Sequence, residues 1–151
     1  RDRVVQWSRP FELRFMMTDK PIPTIYPETQ HFWDGAAAGK LLLQYCRACQ
    51  KHYFPPRPFC PYCGGRDVEV VEASGRGRLY SYTISHLPTP GYEPPFVVAV
   101  VMLDEGVKML TNIVECPQEP EALTLDMPLE VTFEARGALY IPQFRPLEVP
   151  Q

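Results

Sequence analysis

The chain has 151 residues, the usual size of one domain or of two small ones, and its 45% hydrophobic content is enough for a packed core. No apolar run is long enough to cross a bilayer, and the 18 prolines favour short strands and loops over a helical bundle. Residues 1–69 carry ten Lys and Arg against seven Asp and Glu, whereas residues 70–151 carry five against eleven. This acidic second part argues against binding to a nucleic-acid backbone.

Residues 1–27 are predicted to form an N-terminal arm or extension. Residues 1–15 precede Met16-Met17, which is a candidate natural start, and we interpret them as an upstream extension. The alternative is an arm that docks on a partner. The N-terminus has no apolar stretch of the secretory kind, which favours a cytoplasmic location.

One short amphipathic helix is predicted in the stretch PETQHFWDGAAAGK, followed by a strand over residues 41–46. Thr29 is suited to the N-cap, and Gly39 can end the helix. The helix would place four apolar residues on one face: Phe32, Trp33, Ala36 and Ala37. We expect that face to pack on the rest of the chain, with a partner surface as the alternative.

Four of the five cysteines form two Cys-x-x-Cys pairs separated by ten residues, namely Cys46, Cys49, Cys60 and Cys63. Each pair can bring two thiolates to one ion, and two such hooks complete a tetrahedral Zn²⁺ site without a further ligand. The turn after each second cysteine often needs a positive φ, which Gly64 adopts without strain and Gln50 must match. A complete set of four thiolates leaves no position for water, so the pattern indicates a structural zinc.

Other interpretations of the cysteines are weaker. Disulfides are disfavoured because the cytosol keeps thiols reduced, and a redox Cys-x-x-Cys motif usually occurs once, at a helix start. Iron is chemically compatible with four thiolates, but nothing in the sequence indicates electron transfer. His52 is more consistent with a surface residue than with a ligand, and Cys116 with a partly buried thiol than with a nucleophile served by His86.

The second part of the chain is predicted to contain five short strands. They are assigned to residues 78–87, 95–103, 107–114, 127–135 and 138–147. The strand at 95–103 is apolar almost throughout, which is typical of a strand covered on both faces. Asp104-Glu105-Gly106 and Arg136-Gly137 mark hairpins. Five strands with one longer connection between the third and fourth suit a closed barrel of the OB type, so the predicted fold is mainly β, with a ribbon at 28–69 and a barrel at 70–151.

Three stretches together carry a resemblance that covers roughly residues 28–147. They are FWDGAAAGKLLLQYCRACQKHYFPPRPFCPYCG, SGRGRLYSYTISH and PPFVVAVVMLDEGVKMLTNIV. The chain resembles the acyl-CoA-associated family in which a rubredoxin-like zinc ribbon precedes an OB-fold, long catalogued as a domain of unknown function. The cysteine spacing alone is shared by many zinc ribbons, but its combination with the Phe-Trp helix and the Gly-x-Gly strand is specific.

The resemblance implies that the chain is a non-catalytic partner subunit of a thiolase-like enzyme. Such enzymes carry out acyl transfer, carbon–carbon condensation or cleavage, or retro-aldol steps on acyl-CoA esters. The thiolase-like subunit would supply the catalytic residues, while the zinc-ribbon subunit stabilises it and helps to shape the channel for CoA or substrate. Cys46, Cys49, Cys60 and Cys63 match the metal ligands of the family, and the family motif offers no catalytic residue to assign.

A jointly bound CoA ester would bring a phosphorylated adenosine and an acyl thioester to this chain. Arg76 and Arg78 are candidate phosphate contacts, although solvated turn residues fit the same pattern. Four aromatic residues are candidates to line an apolar channel: Tyr80, Tyr82, Tyr92 and Phe96. For each of them, barrel core or partner interface is the alternative.

Two other function classes remain as alternatives. A nucleic-acid-binding module would use aromatic residues on the OB strands for stacking, but the sequence has no basic stripe. An electron-transfer protein would need iron in the cysteine site. We therefore expect no nucleic-acid partner and no membrane contact, and no activity from the chain alone.

Overall fold

The computed structural model describes residues 20–147, so the predictions for residues 1–15 lie outside the described part of the chain. The described residues form one helix, eight strands and two single 3₁₀ turns, Pro27–Thr29 and Pro120–Ala122. In chain order the helix and strands are α1 (Gln30–Ala37), β1 (Leu42–Cys46), β2 (Lys51–Tyr53), β3 (Val68–Glu72), β4 (Arg76–Ser85), β5 (Phe96–Leu103), β6 (Lys108–Ile113), β7 (Pro128–Arg136) and β8 (Leu139–Pro146). Within residues 20–147, no helix has the length and apolar character needed to span a membrane.

The first three strands form a small antiparallel sheet in the order β2-β1-β3. The central strand β1 pairs with β2 from Gln44 to Cys46 and with β3 along its whole length. β1 therefore ends at Cys46, so the sheet fixes the position of the first thiol.

The last five strands close into a barrel in the order β4-β5-β6-β8-β7, with β7 returning to pair with β4. β6 and β8 lie side by side in parallel and meet through one pair, Ile113 with Phe144. The interior is filled by fully buried apolar side chains, among them Leu79, Val97, Val101, Leu129 and Phe144. The predicted mainly β fold with a five-stranded OB-type barrel is confirmed.

Helix α1 packs as predicted in outline but differs in two details. Its buried residues are Phe32, Gly35 and Ala36, whereas Ala37 is exposed, so the predicted apolar face was one residue too wide. Thr29 does not cap the helix with its side chain, because Thr29 Oγ1 accepts from the Tyr26 N–H and donates to the Tyr26 carbonyl instead. Just beyond the helix, Gly39 adopts a φ of +73°, as expected of a C-terminal stop.

A β-bulge in β4 decides which of its side chains enter the barrel. The pairing with β5 shifts between Leu79 and Ser81, so that Tyr80 is the extra residue. As a result Leu79 and Tyr82 both contribute to the core, while Tyr80 is 50% exposed on the outside. Tyr80 and Tyr82, both predicted as candidates to line one channel, therefore point to opposite sides of the barrel wall, because the bulge reverses the order of inward and outward residues.

Strand β5 is apolar on both faces, but the described chain covers only one of them. Val97, Ala99, Val101 and Leu103 point into the barrel and are buried. The alternate residues Phe96, Val98, Val100 and Met102 point outward and are only half-buried. The prediction of cover on both faces is therefore not met within residues 20–147.

The ribbon is tied to the barrel through the turn between β5 and β6. Glu105 Oε1 accepts a hydrogen bond from the backbone N–H of Ser74, 2.6 Å away, in the short link between β3 and β4. The turn itself closes where it was predicted, with Gly106 at a φ of +78° and its N–H bonded to the Leu103 carbonyl.

Gly77 offers a test of the barrel packing. A Cβ at this inward position would lie 2.6 Å from the Met102 carbonyl oxygen and 2.8 Å from Val101 Cγ1. Because the carbonyl belongs to a paired strand and cannot turn aside, we expect Gly77→Ala to destabilise the fold by about 1–3 kcal/mol. Urea unfolding should show this loss, whereas Ser81→Ala, an exposed change in the same strand, should stay within about 0.5 kcal/mol. Equal stability of the two variants would contradict the packing described.

Candidate metal centre and ligand-binding surface

The four cysteines of the ribbon converge on one point. Their sulfur atoms all lie within 4.8 Å of one another, with Cys46 Sγ 3.6 Å from Cys63 Sγ and Cys49 Sγ 3.5 Å from Cys60 Sγ. These separations are close to the ~3.8 Å edge of a tetrahedron whose centre lies about 2.3 Å from each sulfur, which is the usual Zn–S distance. They are far longer than the ~2.05 Å of a disulfide, and the four thiols are free.

Two matching backbone turns hold the sulfurs in place. In the first, the Gln50 N–H bonds the Cys46 carbonyl at 2.8 Å; in the second, the Gly64 N–H bonds the Cys60 carbonyl at 2.9 Å. Gln50 and Gly64 have φ values of +56° and +72°, so both turns use the left-handed conformation that the sequence predicted for these positions. Gln50 adopts this conformation despite its side chain, at a cost of about 1–2 kcal/mol.

The proline-rich spacer between the two hooks is fastened to the ribbon sheet. Tyr53 is buried, and its hydroxyl donates to the Arg57 carbonyl at 3.0 Å, while Gln44 Oε1 accepts from the Arg57 backbone N–H. His52 packs against Tyr45 with ring centroids 4.9 Å apart and is not part of the sulfur cluster. The spacer is therefore held by protein contacts, and the histidine is a packing residue.

The surroundings of the thiols move their pKa values in opposite directions. Burial, together with hydrogen bonds that the Cys49 thiol makes to the sulfurs of Cys60 and Cys46, raises the pKa of Cys49 to about 12. Burial also acts to raise the pKa of Cys60, but backbone N–H groups of Cys63 and Tyr62 stabilise its thiolate and lower the pKa to about 7. The site thus has one thiol that ionises readily, and a divalent cation bound to all four would supply the charge that favours the remaining thiolates.

The six residues predicted to contact a CoA ester divide into two groups. Tyr82 lines a cavity of about 550 Å³ with Ile84 and His86. Tyr92 and Phe96 line a neighbouring cavity of about 320 Å³. Pro95 and Gln118 belong to both cavities, which therefore adjoin at one end of the barrel.

A polar network supports the aromatic end. Tyr92 stacks on Phe96 with ring centroids 4.7 Å apart, and its hydroxyl accepts from Arg136 Nη2 at 3.3 Å. Arg136 and Lys20 both bond Glu134. Burial acts to raise the pKa of Glu134, but these two cations outweigh it and hold the pKa below its usual value. No local pattern in the sequence predicts this network, because Lys20, Tyr92 and Glu134 are far apart along the chain.

The remaining three candidates lie at the opposite end of β4. Phe96 pairs with Ser85, whereas Arg78 pairs with Met102, so six residues of β5, or about 20 Å, separate Phe96 from the partner of Arg78. Arg76 and Arg78 are exposed, and the Arg78 guanidinium donates to the Asp126 carbonyl at 3.2 Å. The six residues therefore do not form one pocket.

Lys108 joins this second group and was missed from the sequence. Its Nζ lies 3.8 Å from the centroid of the Tyr80 ring, and it lowers the pKa of the Tyr80 hydroxyl by hydrogen bonding and by its charge. Lys108 faces Arg78 across Met102 in the sheet. We call Arg76, Arg78 and Lys108 the basic cluster. In the described residues, none of the three has a carboxylate within salt-bridge distance.

Cys116 lacks the arrangement of a nucleophile. Burial raises the pKa of its thiol, and the polar side chain beside Sγ is Gln118, whose Nε2 lies 3.8 Å away. In the described part of the chain no histidine hydrogen-bonds this sulfur. The interpretation of Cys116 as a half-buried structural thiol is the one that its surroundings support.

Two family models match consecutive parts of the chain. Residues 33–69 match the ChsH2 rubredoxin-like zinc ribbon domain, and residues 70–134 match the ChsH2 C-terminal OB-fold domain. A solved chain of "Ltp2-ChsH2(DUF35) aldolase" is 38% identical to this chain in sequence and superposes on it with a TM-score of 0.74. The match covers 83% of this chain and 98% of the solved one. The chain belongs to the ChsH2/DUF35 family.

Curated relatives carry names from several reactions. A "Probable enoyl-CoA hydratase alpha subunit" of Thermomonospora curvata is 40% identical over 87% of this chain, which spans 41% of that protein. A "DUF35 domain-containing scaffold protein" of Pyrococcus furiosus is 36% identical over 62% of this chain and 74% of its own length. The "Benzoylsuccinyl-CoA thiolase subunit BbsA" of Thauera aromatica is 31% identical over 48% of this chain and 50% of its own. The family resemblance stated from the sequence is thereby confirmed.

The convergence of the four thiols predicts the behaviour of a ligand variant. We expect Cys49→Ser to lose its zinc and to lower the thermal unfolding temperature of the ribbon, because a hydroxyl is a poor replacement for a thiolate and the small sheet cannot bury enough core unaided. Metal analysis by mass spectrometry and a thermal melt would measure both. Cys116→Ser is the matched control, and we expect it to keep one zinc per chain. Full zinc content in Cys49→Ser would contradict the assignment.

Proposed function

We propose that this ChsH2/DUF35 chain is a non-catalytic, zinc-stabilised subunit of a thiolase-like enzyme that acts on acyl-CoA esters. The observation that carries the proposal is the match to the solved "Ltp2-ChsH2(DUF35) aldolase", of which this chain covers 98% of one chain and whose name pairs ChsH2 with a second protein, Ltp2. Names such as thiolase subunit and scaffold protein among the relatives support the same role. The chemical step would belong to the partner, in the cytoplasm.

Zinc in this proposal is a structural cofactor held by Cys46, Cys49, Cys60 and Cys63. The spacing of their sulfurs fits a tetrahedral ion, and a shell closed by four thiolates has no position at which water or substrate can bind. When bound, the ion would cross-link the two Cys-x-x-Cys hooks and would not act as a Lewis acid. The folding free energy of the ribbon would then depend on the bound metal.

The acyl-CoA ester would be bound jointly with the partner, and the two groups of candidate residues would have different roles. Tyr82, Tyr92 and Phe96 line apolar cavities suited to the pantetheine or acyl group. At the other end, Arg76 and Arg78 are free to pair with phosphates, with Tyr80 beside them. An extended CoA ester has its phosphates and its thioester at opposite ends, which agrees with the distance of about 20 Å along β5 between Phe96 and the partner of Arg78.

The first test is an affinity pull-down from the native host with mass spectrometry of the proteins recovered. The proposal predicts a stoichiometric thiolase-fold protein that is inactive or unstable when it is purified alone. Full activity of that protein without this chain would contradict the accessory role. Recovery of RNA or single-stranded DNA instead, with salt-sensitive binding, would support the nucleic-acid alternative.

The proposed phosphate contacts can be tested separately from complex formation. We expect the double variant Arg76→Gln/Arg78→Gln to raise the Kd for CoA of the purified complex about tenfold, equivalent to ~1.4 kcal/mol, because two charge-assisted contacts are lost. Arg145→Gln is the control, since Arg145 is already paired with Glu115 and Glu130. Isothermal titration would measure the three constants. An unchanged Kd in the double variant would remove Arg76 and Arg78 from the CoA site.

A further inference from the structure

The outward face of β5 differs from the outward faces of the strands on the far side of the barrel. Four consecutive outward positions of β5 are apolar: Phe96, Val98, Val100 and Met102. In β7 the corresponding positions alternate with the core residues and are polar or charged: Glu130, Thr132, Glu134 and Arg136. A solvent-facing strand is expected to show the β7 pattern, because one face of an antiparallel sheet is normally wet.

Leu110 extends this apolar surface onto β6. It is the cross-strand partner of Val100, and 71% of its surface is exposed. β4 and β6 flank β5 at its edges, and within residues 20–147 no helix or further strand packs extensively over its outer face. We call Val98, Val100, Met102 and Leu110 the β5 strip.

The charged residues within the three strands that form the strip's face are all basic, while Asp104 and Glu105 lie just beyond Met102 in the β5–β6 turn, where Glu105 accepts from the Ser74 N–H. β4, β5 and β6 contain no Asp or Glu at all, although residues 70–151 carry eleven of them. At the Met102 end, the strip runs into the basic cluster, with Arg78 and Lys108 on either side of Met102. The complementary surface on a partner would be apolar opposite the strip and would carry carboxylates opposite the cations.

We propose that the β5 strip is the surface on which the thiolase-like subunit docks, with Leu110 as the central anchor and Lys108 facing a carboxylate of that subunit. The inference rests on the proposed function, and it adds the location of the interface. Removing Leu110 and its neighbours from water would provide the apolar core of the interface, and Lys108 would lie on its polar rim, which leaves Arg76 and Arg78 for the CoA phosphates.

Two other occupants fit the strip less well. A second copy of the chain would bring together strands that contain no acidic residue, so Lys108 of each copy would face no carboxylate on the strands of the other. A single-stranded nucleic acid would find the cations, but valine, methionine and leucine side chains provide no flat aromatic surface on which successive bases stack. A protein with an apolar patch and nearby carboxylates satisfies both parts of the surface.

The test measures the affinity of variants for the recombinant thiolase-fold protein recovered in the pull-down. Leu110→Asp is expected to raise the Kd at least tenfold, and Leu110→Thr, whose β-branched side chain suits a strand, severalfold. Tyr140→Asp is the matched control, because Tyr140 is a 41% exposed residue of β8 outside the strip, and its Kd should stay within twofold of the wild type. Zinc content and a thermal melt confirm that each variant is folded.

Each result bears on a different claim. Wild-type affinity in both Leu110 variants would overturn the docking surface and leave the proposed function intact, whereas a wild-type chain that binds no thiolase-fold protein would overturn both. If light scattering showed a wild-type dimer that Leu110→Asp converts to a monomer with unchanged affinity for the thiolase-fold protein, the strip would belong to a second copy. Poly(dT) binding that Leu110→Asp abolishes, with unchanged affinity for the thiolase-fold protein, would assign it to nucleic acid.

Discussion

The meeting of four thiols at one point is the constraint on which the rest of the ribbon depends. Two backbone turns with positive φ at Gln50 and Gly64 aim the sulfurs inward, and β1 delivers Cys46 directly from the sheet. A three-stranded sheet of this size buries little apolar surface, so cross-linking its ends through one ion replaces the core that it lacks. The ribbon can then hold β3 in place, and β3 leads within four residues into the barrel through Ser74 and its bond to Glu105.

The outer surface of the barrel differs in polarity from one side to the other. One side carries ion pairs such as Arg145 with Glu130 and Arg136 with Glu134, which keep that face compatible with water. The side formed by β4, β5 and β6 has no acidic residue and has apolar outward positions along its central strand. Exposed aliphatic surface of this kind is costly in water, which is why a subunit role and a docking role for this face support each other.

A bulge separates the basic end of β4 from its aromatic end. The bulge at Tyr80 sends that residue outward to Lys108 and returns Tyr82 to the inside, where it reaches the cavity beside His86. In an uninterrupted strand, two residues separated by one position share a face, so Tyr80 and Tyr82 would have pointed the same way. Because they point to opposite sides of the barrel wall, Tyr80 and Tyr82 do not line the same pocket.

The sequence alone determined the features that depend on local spacing: the two cysteine hooks, the left-handed turns after them, the glycine hairpins and the five strands of an OB-type barrel. Each follows from a pattern of adjacent residues, and the structure places each where it was expected. Tertiary structure alone decided which side chains share a surface. The bulge that exposes Tyr80, the approach of Lys108 to Arg78 and the network of Lys20, Glu134 and Tyr92 all depend on pairing between distant strands and segments. Strand register is set by packing over the whole barrel, so no local pattern could have specified these neighbours.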